Sequence, residues 1–380
     1  MTDIHPRMNG ELQPVSDSRA DAFIPSPSPQ NHAAFLARLP DSKLACAWFG
    51  GTMEGMPDIS IHLSLFDDNT LRWRAASVLI DDDRRSEQNP VLFNAPGGKV
   101  WLLYTSQVSG HQNTAVVRRR VSHDGGYTFG PAQTMIDEAG TFIRQPIISI
   151  SGGELLLPVF KCRVIPGELW TGKDDTAGVY RSADNGQTWS YIDVPGSVGC
   201  VHMNIVKITD QHLIAFFRSR WADFVYRSES FDGGATWRVP ATTTLPNNNS
   251  SIQCARLSDG RLAIAYNHSS AANATGRRLS LYDDLEEKGL PAQSSNEGRQ
   301  SFWGAPRAPL SISFSSDNGL TWANRQDIDT SDGYCLSNNS VSRVNHELSY
   351  PSLLEGPDNT VDVAFTLFRQ GIKHVRMVLV

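Results

Sequence analysis

The sequence predicts an all-β protein, a six-bladed β-propeller built from four-stranded antiparallel blades. Three observations carry this expectation. An octet of pattern S-x-D-x-G-x-T-W recurs at Ser182–Trp189, Ser230–Trp237 and Ser315–Trp322, and Ser122–Phe129 differs only in its last aromatic. A second block, an apolar strand, a D/G-containing turn and another apolar strand, recurs six times, starting at His32, Asn89, Gln145, His202, Ser251 and Tyr350. Helical periodicity is nearly absent. One four-stranded unit cannot bury both of its faces, so such units stack radially and close into a ring.

The elements follow in order. Each block supplies the first two strands of a blade, and the separations His202 to Leu213, Ser251 to Leu262 and Tyr350 to Val361 are each eleven residues. A third strand precedes each octet, as in Gly178-Val-Tyr-Arg and Phe224-Val-Tyr-Arg. Asp or Asn beside Gly favours a tight turn, in which the short polar side chain bonds its own backbone and Gly takes a positive φ. The octet is therefore a hairpin connection, and its Thr and aromatic open the fourth strand. In the first blade the octet has decayed to Ser64–Trp73 (SLFDDNTLRW), and C-terminal strands complete the last blade. Residues 1–30 read as a flexible arm, its contribution to the last blade left open, and 31–380 as the propeller. Residues 270–308 are a polar, Gly- and charge-rich insertion in the fifth blade, either a rim over the axial funnel or a solvated loop.

Composition excludes several classes. A 380-residue chain with 40% aliphatic and aromatic residues supports a sizeable core. A net charge of −6 gives no reason to expect nucleic acid or an anionic membrane as a partner. No apolar run approaches the roughly 18 residues of a membrane span. The first thirty residues lack the apolar stretch of a secretory signal, so a cytoplasmic location is expected. The five cysteines are scattered without C-x-x-C spacing, which indicates neither a disulfide framework nor a zinc site. Neither a metal nor a cofactor is expected.

In a propeller the inner strands converge on an axial funnel. The same register in each blade places His32, Asn89, Arg144/Gln145, His202, Ser251/Gln253 and Glu347/Tyr350 there. The ends of the second strands add Glu54, Lys161, Arg163, Arg218, Arg220, Asn267, His268 and Arg369. A structural repeat needs only alternating apolar residues at these positions, so unlike polar groups point to a site. Arg218 and Arg220 alternate, so a continuing strand would aim only one of them inward. Arg144, Lys161, Arg218 and Arg369 gathered in an acidic molecule imply an anionic ligand, most simply a sugar carboxylate. Individual residues have plainer readings: Asp58 as a loop cap, His268 as a turn cap, Tyr350 as a core tyrosine, some arginines as blade-to-blade ion pairs.

The octets are Asp-boxes, and with the six-fold repeat residues 30–380 resemble the sialidase superfamily, in its BNR-repeat branch. That resemblance implies arginines on a carboxylate, a Tyr nucleophile activated by a Glu, and an acidic residue as acid/base. Tyr350, in SYPSLL, matches the nucleophile's motif, and Arg218 matches the second arginine's context. His32 stands where the family has its first arginine and His202 where it has the activating Glu. No third arginine emerges from NNNSSIQCARL, and the acid's loop, GGTMEGMPD, offers Glu54 or Asp58.

Three functions fit. The first is a glycosidase acting on an acidic sugar. There Tyr350 is nucleophile or proton shuttle, Glu347 or His202 draws its proton, His32 is a further catalytic candidate, and Glu54 is the acid. Arg218, Arg144, Lys161 and Arg369 clamp the carboxylate, with Asn89, Asp58, Gln253 and His268 as further substrate contacts. The second is a lyase on a uronate using His and Tyr; the third is a non-catalytic carbohydrate-binding propeller.

Overall fold

A computed structural model describes residues 7–80, 82–164, 170–277, 298–335 and 346–379. It is an all-β, six-bladed propeller. Blade 1 runs outward from the axis as Gln30–Arg38, Leu44–Gly51, Ser60–Asp67 and Arg72–Trp73. Blade 2 follows as Arg85–Ala95, Lys99–Val108, Val116–Ser122 and Gln133–Ile136. In blade 3 the inner strand is split into Thr141–Ile143 and Ile148–Ser149, both paired with Leu155–Lys161, before Thr176–Ser182 and Ser190–Asp193. Blade 4 is Cys200–Lys207, Leu213–Ser219, Phe224–Ser230 and Ala241–Pro246, and blade 5 is Gln253–Arg256, Leu262–Asn267, Leu310–Ser315 and Ala323–Asp329.

Blade 6 departs from the expected arm at the N-terminus. Leu348–Glu355, Thr360–Leu367 and Gly371–Val378 are joined by Arg19–Ile24 and then Gln13–Ser16. Ala22 pairs with His374, and Phe23 and Ile24 are buried. Two ends of the chain thus share one sheet, and the ring is closed by hydrogen bonds. Polar composition had concealed a strand that needs only one buried face. Of the 270–308 insertion, 278–297 lies outside the described residues.

The core is the set of faces between blades. Its largest cluster joins Phe35 and Leu39 of blade 1, Val91 and Trp101 of blade 2, and Leu155 and Leu157 of blade 3. The octets belong to these joints. In each, the Ser hydroxyl donates to the Asp carboxylate and accepts from the Gly N–H, at 2.8 Å for both bonds around Ser182. Hydrogen bonds from Thr188 and Thr321 pull Asp184 and Asp317 down to about 2. The octet glycine is pressed against the preceding blade. A Cβ on Gly186 (φ +82°) would meet Trp101 at 2.3 Å, one on Gly319 would meet Phe216 at 2.4 Å, and one on Gly234 would meet Leu156 at 2.7 Å.

A second repeated device shapes the axis. Four inner strands slip register at the same place, between His32 and Phe35, Gln88 and Val91, Val201 and Asn204, and Ser349 and Ser352. At each bulge one residue takes a left-handed conformation: Ala33 (φ 61°), Asn89 (52°), His202 (52°) and Tyr350 (52°). A bulge re-aims a side chain at a strain cost, and here it turns Asn89, His202 and Tyr350 into the funnel. His32 falls one residue before the bulged position, so it is not the equivalent of His202.

Candidate functional site

Tyr350 sits at the centre of the funnel, 8% exposed. Arg218 Nη1 donates to its hydroxyl at 2.6 Å, while Arg218 Nε donates to Asn249 Oδ1 at 2.8 Å, fixing the guanidinium plane. Arg218 Nη2 takes no partner among the described residues. The Tyr350 ring lies 4.2 Å from the His32 ring and 5.5 Å, edge-on, from the His202 ring. A narrow cavity of about 20 Å³ joins Tyr350 to Glu54, Asn89, His202, Arg218 and Arg220, with Phe142 and Phe160 as an apolar wall.

His202 Nδ1 and Asn89 Oδ1 are buried without a hydrogen-bond partner among the described residues. Burial, then the charges of Arg218, Arg220, Arg144 and Arg307, hold the His202 pKa well below the usual imidazole value. His202 is therefore neutral at physiological pH. His32 is lowered in the same way, by burial and then Arg369, with Glu347 opposing. Its Nδ1 shares a hydrogen bond of 2.8 Å with Thr366 Oγ1.

Beside the tyrosine lies a buried ion-pair raft. Glu347 accepts from Arg307 Nη1 (2.5 Å), Arg369 Nε (3.0 Å) and Ser349 Oγ (2.7 Å). Burial works to raise the Glu347 pKa, but Arg307 and Arg369 outweigh it and hold the carboxyl well below its ordinary range. Arg369 Nη1 also reaches Glu54 Oε2 at 2.5 Å. Glu347 makes no hydrogen bond to Tyr350, so the expected role of Glu347 as proton acceptor for the tyrosine is not what the geometry provides. Its carboxylate is occupied by two arginines.

Arg220 also lines the cavity. The strand Leu213–Ser219 ends before it, which lifts the alternation that would have turned it away from Arg218. Asp175, fully buried, accepts from its Nε and Nη2 at 3.0 and 2.7 Å. Trp170 and Trp303 stand over its guanidinium at 5.3 and 5.2 Å.

Five expected ligand contacts lie elsewhere. Arg144 spends one amino group on three backbone carbonyls, Ala34, Tyr350 and Pro351 (2.9, 3.1 and 3.2 Å), and so ties blades 1, 3 and 6 across the axis beneath the tyrosine. Lys161 turns outward to Thr141, Tyr180 and the exposed Glu138. Asp58 caps its own loop through Thr52 N and Oγ1. Gln253 points down the axis to Ser352 Oγ and Leu353 N, and His268 pairs with the Tyr266 hydroxyl. Arg369 is adjacent to the cavity but fully engaged by Glu54 and Glu347. Arg307, Trp303 and Asp175 were not expected. They come from irregular connections, where no repeat marks a position, and only their chemistry beside Pro- and Gly-rich sequence hinted at them.

A funnel of this kind at the axis of a six-bladed, Asp-box propeller defines a sialidase-like fold. Among solved structures the chain is similar to the Hadza microbial sialidase Hz136, with a TM-score of 0.67 and 14% identity over 93% of this chain and 66% of that one. It is also similar to a protein of unknown function from Dyadobacter fermentans, with a TM-score of 0.66 and 16% identity over 95% and 98% of the two chains. The NanB sialidase of Streptococcus pneumoniae gives a TM-score of 0.65 and 12% identity over 98% and 71%. The chain thus spans just under two thirds of Hz136, and at these identities the likeness is one of fold. No curated protein is significantly similar to it. Residues 42–363 match the BNR repeat-like domain, and the chain belongs to that family.

Proposed function

We propose that the protein is a carbohydrate-active enzyme, a glycosidase acting on an acidic sugar, with Tyr350 as nucleophile. The observation that carries this reading is the hydrogen bond from Arg218 to the Tyr350 hydroxyl, inside a cavity shared with Glu54 and His202. A guanidinium there stabilises negative charge on the phenol oxygen as it attacks. Neutral His202, edge-on to the ring, takes the phenol proton directly or through one water. Glu54, at the rim, gives its proton to the leaving oxygen and recovers it from the water that resolves the glycosyl–tyrosine bond. Arg369 must release Glu54 for that step, so the substrate rearranges the rim on binding. The free Nη2 of Arg218 and the stacked Arg220 receive the sugar carboxylate, and Asn89 Oδ1 accepts from a hydroxyl.

A second reading is supported by two specific features, the His202 Nδ1 without a hydrogen-bond partner among the described residues and the ion pair that ties Glu54 to Arg369. In a β-elimination on a uronate, His202 takes the C5 proton and the C4–O bond breaks. A C4=C5 double bond forms, and the Tyr350 hydroxyl protonates the departing oxygen. The test separates the two. Incubation with oligosaccharides carrying a terminal nonulosonate, a terminal uronate or an internal 4-linked uronate should release a reducing sugar with no new ultraviolet absorbance. Release with absorbance from a conjugated unsaturated acid assigns elimination, and no release from any acidic substrate removes both.

A further inference from the structure

A cavity larger than the one around Tyr350 lies elsewhere on the axis. About 390 Å³ opens at the opposite end of the axis, lined by the last residues of all six inner strands. The two voids are separate. Arg144 and Gln145 fill the axis between them, with Gln145 Nε2 donating to Ile252 O at 2.6 Å and Gln253 Nε2 donating to Gln145 Oε1 at 3.3 Å. Above this plug the funnel is polar and charged; below it, apolar.

Two features of the lower cavity point to an occupant. Ala37, Phe93, Pro146, Ile148, Ala255 and Leu354, drawn from five of the six blades, face it only half buried. Other residues of the inner strands, Phe35, Leu92, Ile205 and Leu353, are buried almost completely. The rim carries charge of one sign: Arg38, Lys207 and Arg256, from blades 1, 4 and 5, line the cavity, and no Asp or Glu does. That is notable in a chain of net charge −6. Arg256 Nη1 bonds only the Ile208 carbonyl, which leaves its charge without an acidic partner among the described residues. Arg38 and Lys207 share theirs with Asp362 and Asp210.

We infer that the far end of the axis is a binding site for a small amphiphilic anion, an aliphatic carboxylate. Its tail fills the apolar ring, and its head group meets Arg256 and Lys207. The volume lies within the roughly 300–1,000 Å³ range of small-molecule pockets, which are apolar with a few placed polar groups. A neutral hydrocarbon would leave the basic rim unused, and a hydrophilic anion would leave the apolar ring wet.

Calorimetric titration of the full chain with hexanoate, octanoate and decanoate tests this. Affinity should rise about fourfold per added methylene, the gain expected from burying each CH₂. Arg256→Gln combined with Lys207→Gln should weaken decanoate about tenfold and leave decanol unchanged. Ala255→Phe and Ala37→Phe, each placed to fill the ring, should abolish binding in protein that still melts cooperatively. No heat with decanoate overturns the site, even where the same face proves to hold a macromolecule. Affinity independent of chain length, or unaffected by both filling variants, overturns it equally.

Discussion

Tyr350 and Glu347 are three residues apart in the chain yet do different work. The bulge gives Tyr350 a positive φ and faces its hydroxyl to Arg218, whereas Glu347 is locked between Arg307 and Arg369. Tyr350→Phe should lower turnover by at least about 10³-fold while the dissociation constant for the free sugar acid changes less than about threefold. Turnover near the wild-type rate in that variant would remove Tyr350 from the chemistry. Glu347→Gln strips the charge partner from two buried arginines and should destabilise the fold by about 3–5 kcal/mol in urea unfolding. A loss below about 1 kcal/mol would show that the raft is not what holds that side of the funnel.

At the scale of the element, the octet is a joint between blades as well as a turn. Gly186→Ala puts a methyl into the Trp101 ring at a residue with φ +82°, so a loss of about 1–3 kcal/mol is expected. Trp101→Leu should relieve part of it, and the double-mutant cycle measures the coupling. Repetition made the strands, the octets and the direction of Tyr350 and Arg218 legible in the sequence, because each is read against its other copies. What could not be read is what the repeat does not encode. The repeat does not mark where a bulge takes its left-handed residue: it falls at His202 in blade 4 but at Ala33 in blade 1, which put His32 out of step with His202. The end of a strand at Ser219 freed Arg220 to join Arg218. Arg307 and Asp175 sit in connections whose only signal is their own charge. The strand Arg19–Ile24 was obscured because its surroundings are polar and its partner is 350 residues away in sequence, at Gly371–Val378.

The whole molecule is a ring of six blades, and in blade 6 Arg19–Ile24 pairs with Gly371–Val378. Removing residues 1–26 exposes the sites of Phe23 and Ile24 and opens blade 6. A loss of about 3–6 kcal/mol is expected from those two side chains alone, read as a lower urea midpoint. Truncated protein as stable as the full chain would show that blade 6 needs only its C-terminal strands. Acid should weaken the ring early. His32 and His202 are neutral and buried when folded but protonate near 6.5 when unfolded, so the stability they contribute is complete above that pH and falls below it. The expected slope is about 1.4 kcal/mol per pH unit for each histidine, until each folded pKa is reached. Glu347 adds a further loss in stronger acid, below the ordinary carboxylate range, as its pairing with Arg307 and Arg369 is titrated away. His202→Asn should flatten the first part of that curve; an unchanged slope would mean that His202 is protonated in the folded ring.

The most direct measurement is chromophore release from a panel of aryl glycosides of uronates, nonulosonates and neutral sugars, for wild-type protein and for Tyr350→Phe and Arg218→Ala. A single funnel built around Tyr350 and Arg218 predicts release from acidic glycosides only. It also predicts loss of turnover without loss of binding in Tyr350→Phe, and loss of affinity for the anion in Arg218→Ala. Equal release from neutral and acidic glycosides, or both variants behaving as wild type, would contradict it.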